Sequence, residues 1–287
     1  MSDDMRYDFA IQEPALAIAP VFLVLMKKKA ESRAKLDVTR TFNGASIQWR
    51  GPDALGIPEQ SVLLGLLSIA AQQKFVLDPN KCSKVGTKLL SLMTSGGCAI
   101  LSELAVLKVQ WRKIEIASGY ESHGGRNLKN VKMAVKRLAE TTVWENRNGI
   151  EYEYRLLAWL RGDNDGVVIA LNPRATDAMC GGQFVKISLE ERNLLPDEPA
   201  KALHAFLSGH MRPGSTRCYK VSGLQSHIWS GEATGSTSRN RDRKLRHALT
   251  ALGQLPLWRC VLSKNGQAEI QRLVAVTFDG KQGSRGR

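Results

Sequence analysis

The chain has 287 residues, with 41 Lys and Arg against 27 Asp and Glu, a formal net charge of +14. A hydrophobic share of 43% beside 24% charged residues excludes a disordered or collagen-like chain, and the length suits about two domains. The surplus of positive charge points to a polyanionic partner, nucleic acid or an anionic membrane surface.

The sequence argues against several classes. Residues 14–26 are the most apolar stretch, shorter than the roughly 20 residues of a membrane span and interrupted by Pro20. Residues 60–73 and 89–102 are also too short and are broken by polar side chains. Asp3 and Asp4 stand where a secretory signal would carry positive charge. The cysteines, Cys82, Cys98, Cys180, Cys218 and Cys260, form no CxxC pair, which fits free thiols in a reducing cytoplasm. There is no GxxxxGK[ST] phosphate loop, no GxGxxG after a strand, no HExxH and no GxSxG. His123, His204, His210, His227 and His247 never fall at i, i+2 or i, i+4. No catalytic, cofactor or metal residue is assigned.

In chain order, Lys27, Lys28, Lys29, Arg33 and Lys35 form a basic cluster after the first apolar run. Residues 39–49 hold β-formers around Asn43-Gly44 and read as a hairpin. Pro58 and Glu59 open a helix that runs to about Gln73, with Val62, Leu63, Leu66, Leu67 and Ala70 as its apolar stripe. Residues 75–77 make a short strand, ended by Asp78-Pro79-Asn80.

The informative feature is an internal repeat. Val109, Ile116, Ser118 and Gly119 give V-x6-I-x-S-G, and Val221, Ile228, Ser230 and Gly231 give the same pattern 112 residues later. A Gly-containing turn follows in each copy, then a helix with an apolar face. Val131, Val135 and Leu138, then Trp144, match Leu245, Leu249 and Leu252, then Trp258. Strand-like segments follow at residues 151–156 after Asn148-Gly149, and at 258–262 and 269–274 around Lys264-Asn265-Gly266. Helix, turn, helix and hairpin is the layout of a winged helix. The expected class is α+β, two tandem winged-helix domains. Residues 1–165 hold the first, with an N-terminal extension, and residues 166–287 the second.

The charge recurs on the second helix of each copy. Lys129, Lys132 and Lys136 share one face, with Arg126 ahead of them; Arg239, Arg243 and Arg246 share another, flanked by Arg241 and Lys244. Lys129 aligns with Arg243, and Lys132 with Arg246. Arg reads guanine with two hydrogen bonds, whereas Lys acts mostly as a point charge. The second copy therefore reads as the base reader and the first as a phosphate clamp. Ser236 or Thr237 is expected to cap the second helix, and Ser236, Thr237 and Ser238 to donate to phosphates. Residues 232–287 carry eleven basic against four acidic groups, half of the net charge, and end in a basic arm with Lys281, Arg285 and Arg287.

Several segments resemble the RepC replication initiators of broad-host-range IncQ plasmids. They are residues 16–20, Lys35-Leu36-Asp37-Val38-Thr39, Ala170-Leu171-Asn172-Pro173 and the run 181–188. The densest is Gly231-Glu232-Ala233-Thr234-Gly235-Ser236-Thr237-Ser238-Arg239. Residues 78–108 align poorly, and Pro256 departs from the family's pattern within 254–257, which leaves the length of the second recognition helix open. The resemblance implies binding to directly repeated iterons at a plasmid origin, opening of adjacent AT-rich DNA, and a part in plasmid copy control. It also implies recruitment of the plasmid's helicase, with its primase and a second copy of the chain as further partners. In related initiators the C-terminal domain makes most base contacts, and the N-terminal one touches DNA backbone and can mediate dimerisation. Without a phosphate loop, melting would draw on binding energy and DNA deformation rather than on ATP hydrolysis by this chain.

Other features read as structural. Asp163, Asn164, Asp165 and Gly166 lack the closing Glu of a calcium loop. Glu190 and Glu191 suit a helix start, His204 and His210 an apolar helix at 200–211, and Trp111 and Trp229 the core. The rival readings are a transcriptional repressor on the same fold and a nicking or relaxase-type enzyme.

Overall fold

A computed structural model describes residues 8–25, 33–73, 75–94, 102–120, 124–162 and 166–274. Lys27 to Lys29, Cys98, His123, Asp163 to Asp165 and the basic arm lie outside them. The described chain combines helices with antiparallel sheets around two buried apolar cores.

Strand β1 (Phe9–Gln12) and the short helix α1 (Pro14–Ile18) come first. The apolar run that begins at Pro14 thus starts as a short helix and continues as extended chain, and among the described residues no helix is long and apolar enough to cross a membrane. The hairpin β2 (Leu36–Phe42) and β3 (Ala45–Gly51) turns at Asn43 and Gly44, both with positive φ (47° and 77°). Two left-handed residues in a two-residue turn match the right-handed twist of the strands, which is why Asn-Gly marks it in the sequence.

Helix α2 (Ile57–Gln73) is the centre of the first core. Glu59, in its first turn, accepts the Gly56 N–H at 2.8 Å. β4 (Val76–Leu77), a 3-10 turn at Pro79–Lys81 and α3 (Lys84–Met93) follow. Next come β5 (Leu104–Gln110), α4 (Trp111–Ala117) and α5 (Gly125–Ala139). α2 lies so close to the end of α4 that a Cβ on Gly65 would stand 2.9 Å from the Ala117 carbonyl carbon. Strands β6 (Thr142–Arg147) and β7 (Ile150–Arg155) form a hairpin at Asn148 and Gly149, again with both φ positive. The first hairpin joins it in one sheet of order β2-β3-β6-β7. β8 (Leu157–Arg161) and β9 (Gly166–Leu171) complete a second sheet, β4-β5-β9-β8.

Helix α6 (Pro173–Met179), strand β10 (Val185–Ser188) and helix α7 (Leu189–Asn193) lead into the second core. That core is built on α8 (Glu198–His210), β11 (Thr216–Lys220), α9 (Val221–Leu224) with a 3-10 turn at Gln225–His227, and α10 (Gly235–Leu252). The hairpin β12 (Trp258–Leu262) and β13 (Gln267–Arg272) closes it in the sheet β11-β13-β12. α10 keeps its full length because Pro256 falls in the turn beyond Gly253, outside the helix.

The cores do not divide at 165/166. Val167, Ile169, Leu171, Val185 and Ile187 are buried in the first, and Ile57 belongs to the second. The N-terminal segment reaches the other way. β1 pairs with β10, a Cβ on Gly209 of α8 would meet Ala17 Cβ at 3.1 Å, and Val24 N–H donates to the Ile228 carbonyl at 2.7 Å. Arg192 of α7 is the pin between them. It donates to Gln60 Oε1 (2.9 Å) and Ser61 Oγ (3.2 Å) of α2 and to the Lys201 carbonyl (2.6 Å) of α8. Burial pushes this guanidinium down to about 9, still charged at neutral pH.

The repeat holds only in its second half. Ser118-Gly119 and Ser230-Gly231 both turn with positive glycine φ (81° and 66°), and the helix and hairpin that follow correspond. Upstream, Val109 lies in strand β5 whereas Val221 begins helix α9, and Ile116 is 45% exposed whereas Ile228 is buried. The first helix of the second copy is short and continues as a 3-10 turn, so equal sequence spacing does not give equal positions. The two tryptophans also part: Trp258 is buried and Trp144 is 40% exposed.

Candidate nucleic-acid interface

The exposed face of α10 follows from its spacing. Leu245, Ala248, Leu249 and Leu252 bury one side, which turns Ser236, Arg239, Asn240, Arg243, His247 and Thr250 to solvent. Ser236, Thr237, Arg239, Asn240 and Arg243 line one shallow open depression along the first turns. Arg243 Nη2 donates to Asn240 Oδ1 at 3.1 Å, which holds the two side chains together. Lys244 is exposed, on the flank of this row.

Three sequence expectations need correction here. Arg241 does not face solvent. It is 7% exposed and donates to the Gly231 carbonyl (2.8 Å) and the Ser230 carbonyl (3.0 Å), with its guanidinium over the Trp229 ring at 5.8 Å. One position from Asp242 and two from Arg243, it lies on the core side of the helix, and its fork satisfies carbonyls of the turn. Arg246, expected beside Arg239 and Arg243 on the base-reading face, is paired within the helix: its Nε donates to Asp242 Oδ2 at 2.8 Å, one helical turn back. Neither Ser236 nor Thr237 is the cap. The helix starts at Gly235, whose φ is +57°, after Thr234, whose side chain makes no capping hydrogen bond. Ser236 is exposed, and Thr237 and Ser238 are half-buried, all in the first turn, where free N–H groups and the dipole favour an anion.

Helix α5 presents Arg126, Lys129, Lys132 and Lys136 to solvent, opposite the buried Val131, Ala134, Val135 and Leu138. Lys132 Nζ stands 5.4 Å from the centroid of the Trp111 ring, and Lys136 pairs with Glu140 at 3.8 Å. Met133 occupies the place that His247 holds on α10, so the centre of this face has an apolar side chain where the other has a hydrogen-bonding one. Arg137 points inward to Glu59 (3.0 Å) and Asp53 (3.1 Å) and fixes α5 to the start of α2; Arg33 shares Glu59 at 2.9 Å.

Sequence reasoning missed part of each face. Lys220, Ser222, Arg246, Asn265, Gly266 and Gln267 meet in a depression between the start of α9, α10 and the β12–β13 turn. On α4, Arg112 and Lys113 are exposed beside α5. Asn240 and His247 could have been found from the helical spacing of Arg239 and Arg243. Lys220 and Asn265 could not, because only the fold joins them.

Residues read as structural are so placed. Trp111 and Trp229 are 8% and 5% exposed. Ser188 caps α7 by accepting the Glu191 N–H at 3.1 Å. The Glu191 carboxylate turns inward, where its Oε2 lies 3.1 Å from His204 Nε2 and accepts from Trp258 Nε1 at 3.1 Å. His204 is fully buried. Burial holds its pKa below the ordinary value, against the opposing pull of Glu191. Cys82, Cys180, Cys218 and Cys260 are free, and burial pushes the Cys260 thiol up to about 12. A cavity elsewhere is lined by Glu13, Glu145, Glu151 and Asp177 among others, an acidic setting that disfavours phosphate.

The family model of replication protein C (RepC) matches residues 4–274, nearly the whole chain. The chain belongs to the RepC family. It is therefore a replication protein, and the basic helix faces are those of a RepC-family member. No curated protein matches it. Among solved structures, domains 2 and 3 of RctB share its fold at a TM-score of 0.53 and 12% identity, covering 91% of this chain and 99% of that one. The similarity extends through both cores of the RepC-family chain.

Proposed function

We propose that this RepC-family protein is a plasmid replication initiator that binds directly repeated iterons through two winged-helix units. In this reading it opens adjacent AT-rich DNA and passes the opened origin to the plasmid's helicase and primase in the bacterial cytoplasm. The order helix, strand, two helices, hairpin supports the two units: α2, β5, α4, α5 and β6–β7, then α8, β11, α9, α10 and β12–β13. The observation that carries the reading is the exposed row Arg239, Asn240 and Arg243 on α10, beside a hairpin turn that adds Asn265. Arginine and asparagine on a helix that fits a major groove have the donors to read guanine and adenine. On α5, lysines around Met133 suit phosphates rather than base edges. The N-terminal unit accordingly takes the backbone and pairs with a second copy, and the C-terminal unit reads sequence.

Footprinting on the plasmid origin and on promoter fragments tests this. Protection of tandem direct repeats that is lost with Arg243→Ala is the expected result. Protection of a single promoter palindrome would make the protein a repressor. Relaxed or covalently bound origin DNA after incubation with Mg2+ would make it a nicking enzyme.

A further inference from the structure

Residues 75–94, together with Lys108, carry a basic surface that neither helix face uses. In the sheet β4-β5-β9-β8, Leu77 pairs with Leu104, and the Val106 N–H donates to the Phe75 carbonyl at 2.9 Å. The ladder therefore continues one residue beyond β4, and alternation places Phe75, Leu77, Val106 and Lys108 on one face. Register carries that face on through Val168 and Leu160, the partners of Lys108 in β9 and β8. The opposite face, with Leu107, Val109, Val167 and Ile169, is sealed in the first core.

Helix α3 covers only part of the outer face. A Cβ on its Gly86 would stand 2.7 Å from Leu77 Cδ1, and Leu89 and Met93 are buried beneath it. Past its edge Phe75 is 67% exposed, Lys108 is exposed, and Val106, Leu160 and Val168 are half-buried. Lys84 and Lys88, one turn apart on the helix, are exposed, as is Lys81 in the 3-10 turn before it. The nearest acid in sequence, Asp78, is engaged as the cap that accepts the Asn80 N–H at 2.8 Å.

We propose that this face is a binding platform for single-stranded DNA, distinct from the two helix faces. An exposed ring offers a stacking surface to a base, and a row of lysines offers counter-charge to the phosphates that follow it. A duplex must be unstacked before a base face meets Phe75, at a cost of about a few kcal/mol per step, so the pairing of ring and lysines favours an opened strand. On an origin-opening protein such a platform would hold one strand of the opened region.

The test measures binding of the full chain to a fluorescein-labelled oligo(dT) of about 20 nucleotides by anisotropy, beside a duplex from the origin. Phe75→Ala is expected to weaken oligo(dT) binding about tenfold and leave duplex binding unchanged. Lys84→Ala with Lys88→Ala should flatten the dependence of log K on log salt by roughly 1.4 for oligo(dT) alone, since single strands release about 0.7 counterions per phosphate neutralised. These side chains are exposed, so the variants should melt like the parent. Two results would overturn the platform. One is oligo(dT) binding that survives these changes but is lost with Arg243→Ala or Lys129→Ala. The other is a Phe75→Ala variant whose only defect is altered sedimentation, which would make the face a contact between copies.

Discussion

Arg241 donates to the carbonyl of Gly231 at 2.8 Å, across the turn that joins α9 to α10. Gly231 has a φ of +66°, a left-handed conformation that glycine adopts freely, and its carbonyl accepts from the helix that follows. The most basic segment of the chain thus spends one guanidinium on holding the angle between its own two helices. Its neighbours Arg239 and Arg243, on the other side of the helix, are exposed to solvent.

Arg241 and Arg243 should therefore fail differently. Arg241→Ala leaves two carbonyls without their charged donor and is expected to cost about 1–3 kcal/mol of stability, seen as a lower Tm. Arg243→Ala should leave Tm unchanged and cost about 1–3 kcal/mol in specific DNA binding, with relaxed sequence preference in a competition assay. A normal Tm for Arg241→Ala would return that residue to the interface.

The α5 lysines should behave as phosphate contacts. Lys129→Ala is expected to weaken binding to specific and random duplexes alike and to flatten the salt slope by about 1. Lys132→Ala should do the same and also lose roughly 0.5–1 kcal/mol of stability, because its ammonium sits over Trp111. A change in sequence preference with Lys129→Ala would reverse the division of roles.

Gly65 is a packing requirement. An added Cβ would lie 2.9 Å from the Ala117 carbonyl carbon and 3.0 Å from the Ser118 nitrogen, both rigid backbone. Alanine is otherwise the better helix former, so the intrinsic gain of up to about 1 kcal/mol should be overridden. Urea denaturation should show Gly65→Ala less stable than the parent by about 1–3 kcal/mol.

Acid should loosen the second core before it protonates surface carboxylates. Burial lowers the pKa of His204, His210 and His227 below the ordinary 6.5. Each is then neutral in the folded chain at pH values where the unfolded chain is already protonated. The unfolded state binds more protons in that window, so stability is full above pH 6.5 and falls as pH drops through it. Glu191, whose pKa is lowered despite its burial through its hydrogen bond to His204, adds a loss of the same sign below its ordinary 4.5. Melting curves at neutral and mildly acidic pH should show the decline, and His204→Gln should reduce it. An equal decline in that variant would assign the effect to His210 and His227.

Local signals carried much of the fold. Asn43-Gly44 and Asn148-Gly149 announced their turns because few other pairs accept two positive φ angles in succession. The apolar spacing of Leu245, Leu249 and Leu252 placed α10 and, with it, the side on which Arg239 and Arg243 emerge. Equal spacing of Val109 and Ile116 with Val221 and Ile228 misled, since spacing is blind to whether a segment is strand or helix.

The sequence by itself determined a basic α+β chain with two charged helices, each followed by a hairpin, and its resemblance to the RepC initiators. Those features depend on neighbours within a few residues, where backbone preference and helical period act directly. Tertiary structure alone decided that Arg241 serves the Gly231 carbonyl and that Lys220 meets Asn265. It also decided that residues 8–25 lock onto α8 and β10, and that Arg192 binds the two cores together. Each joins groups that lie beyond the reach of one strand or helical turn, and the two buried guanidiniums, Arg192 and Arg241, take whatever partners the packing supplies.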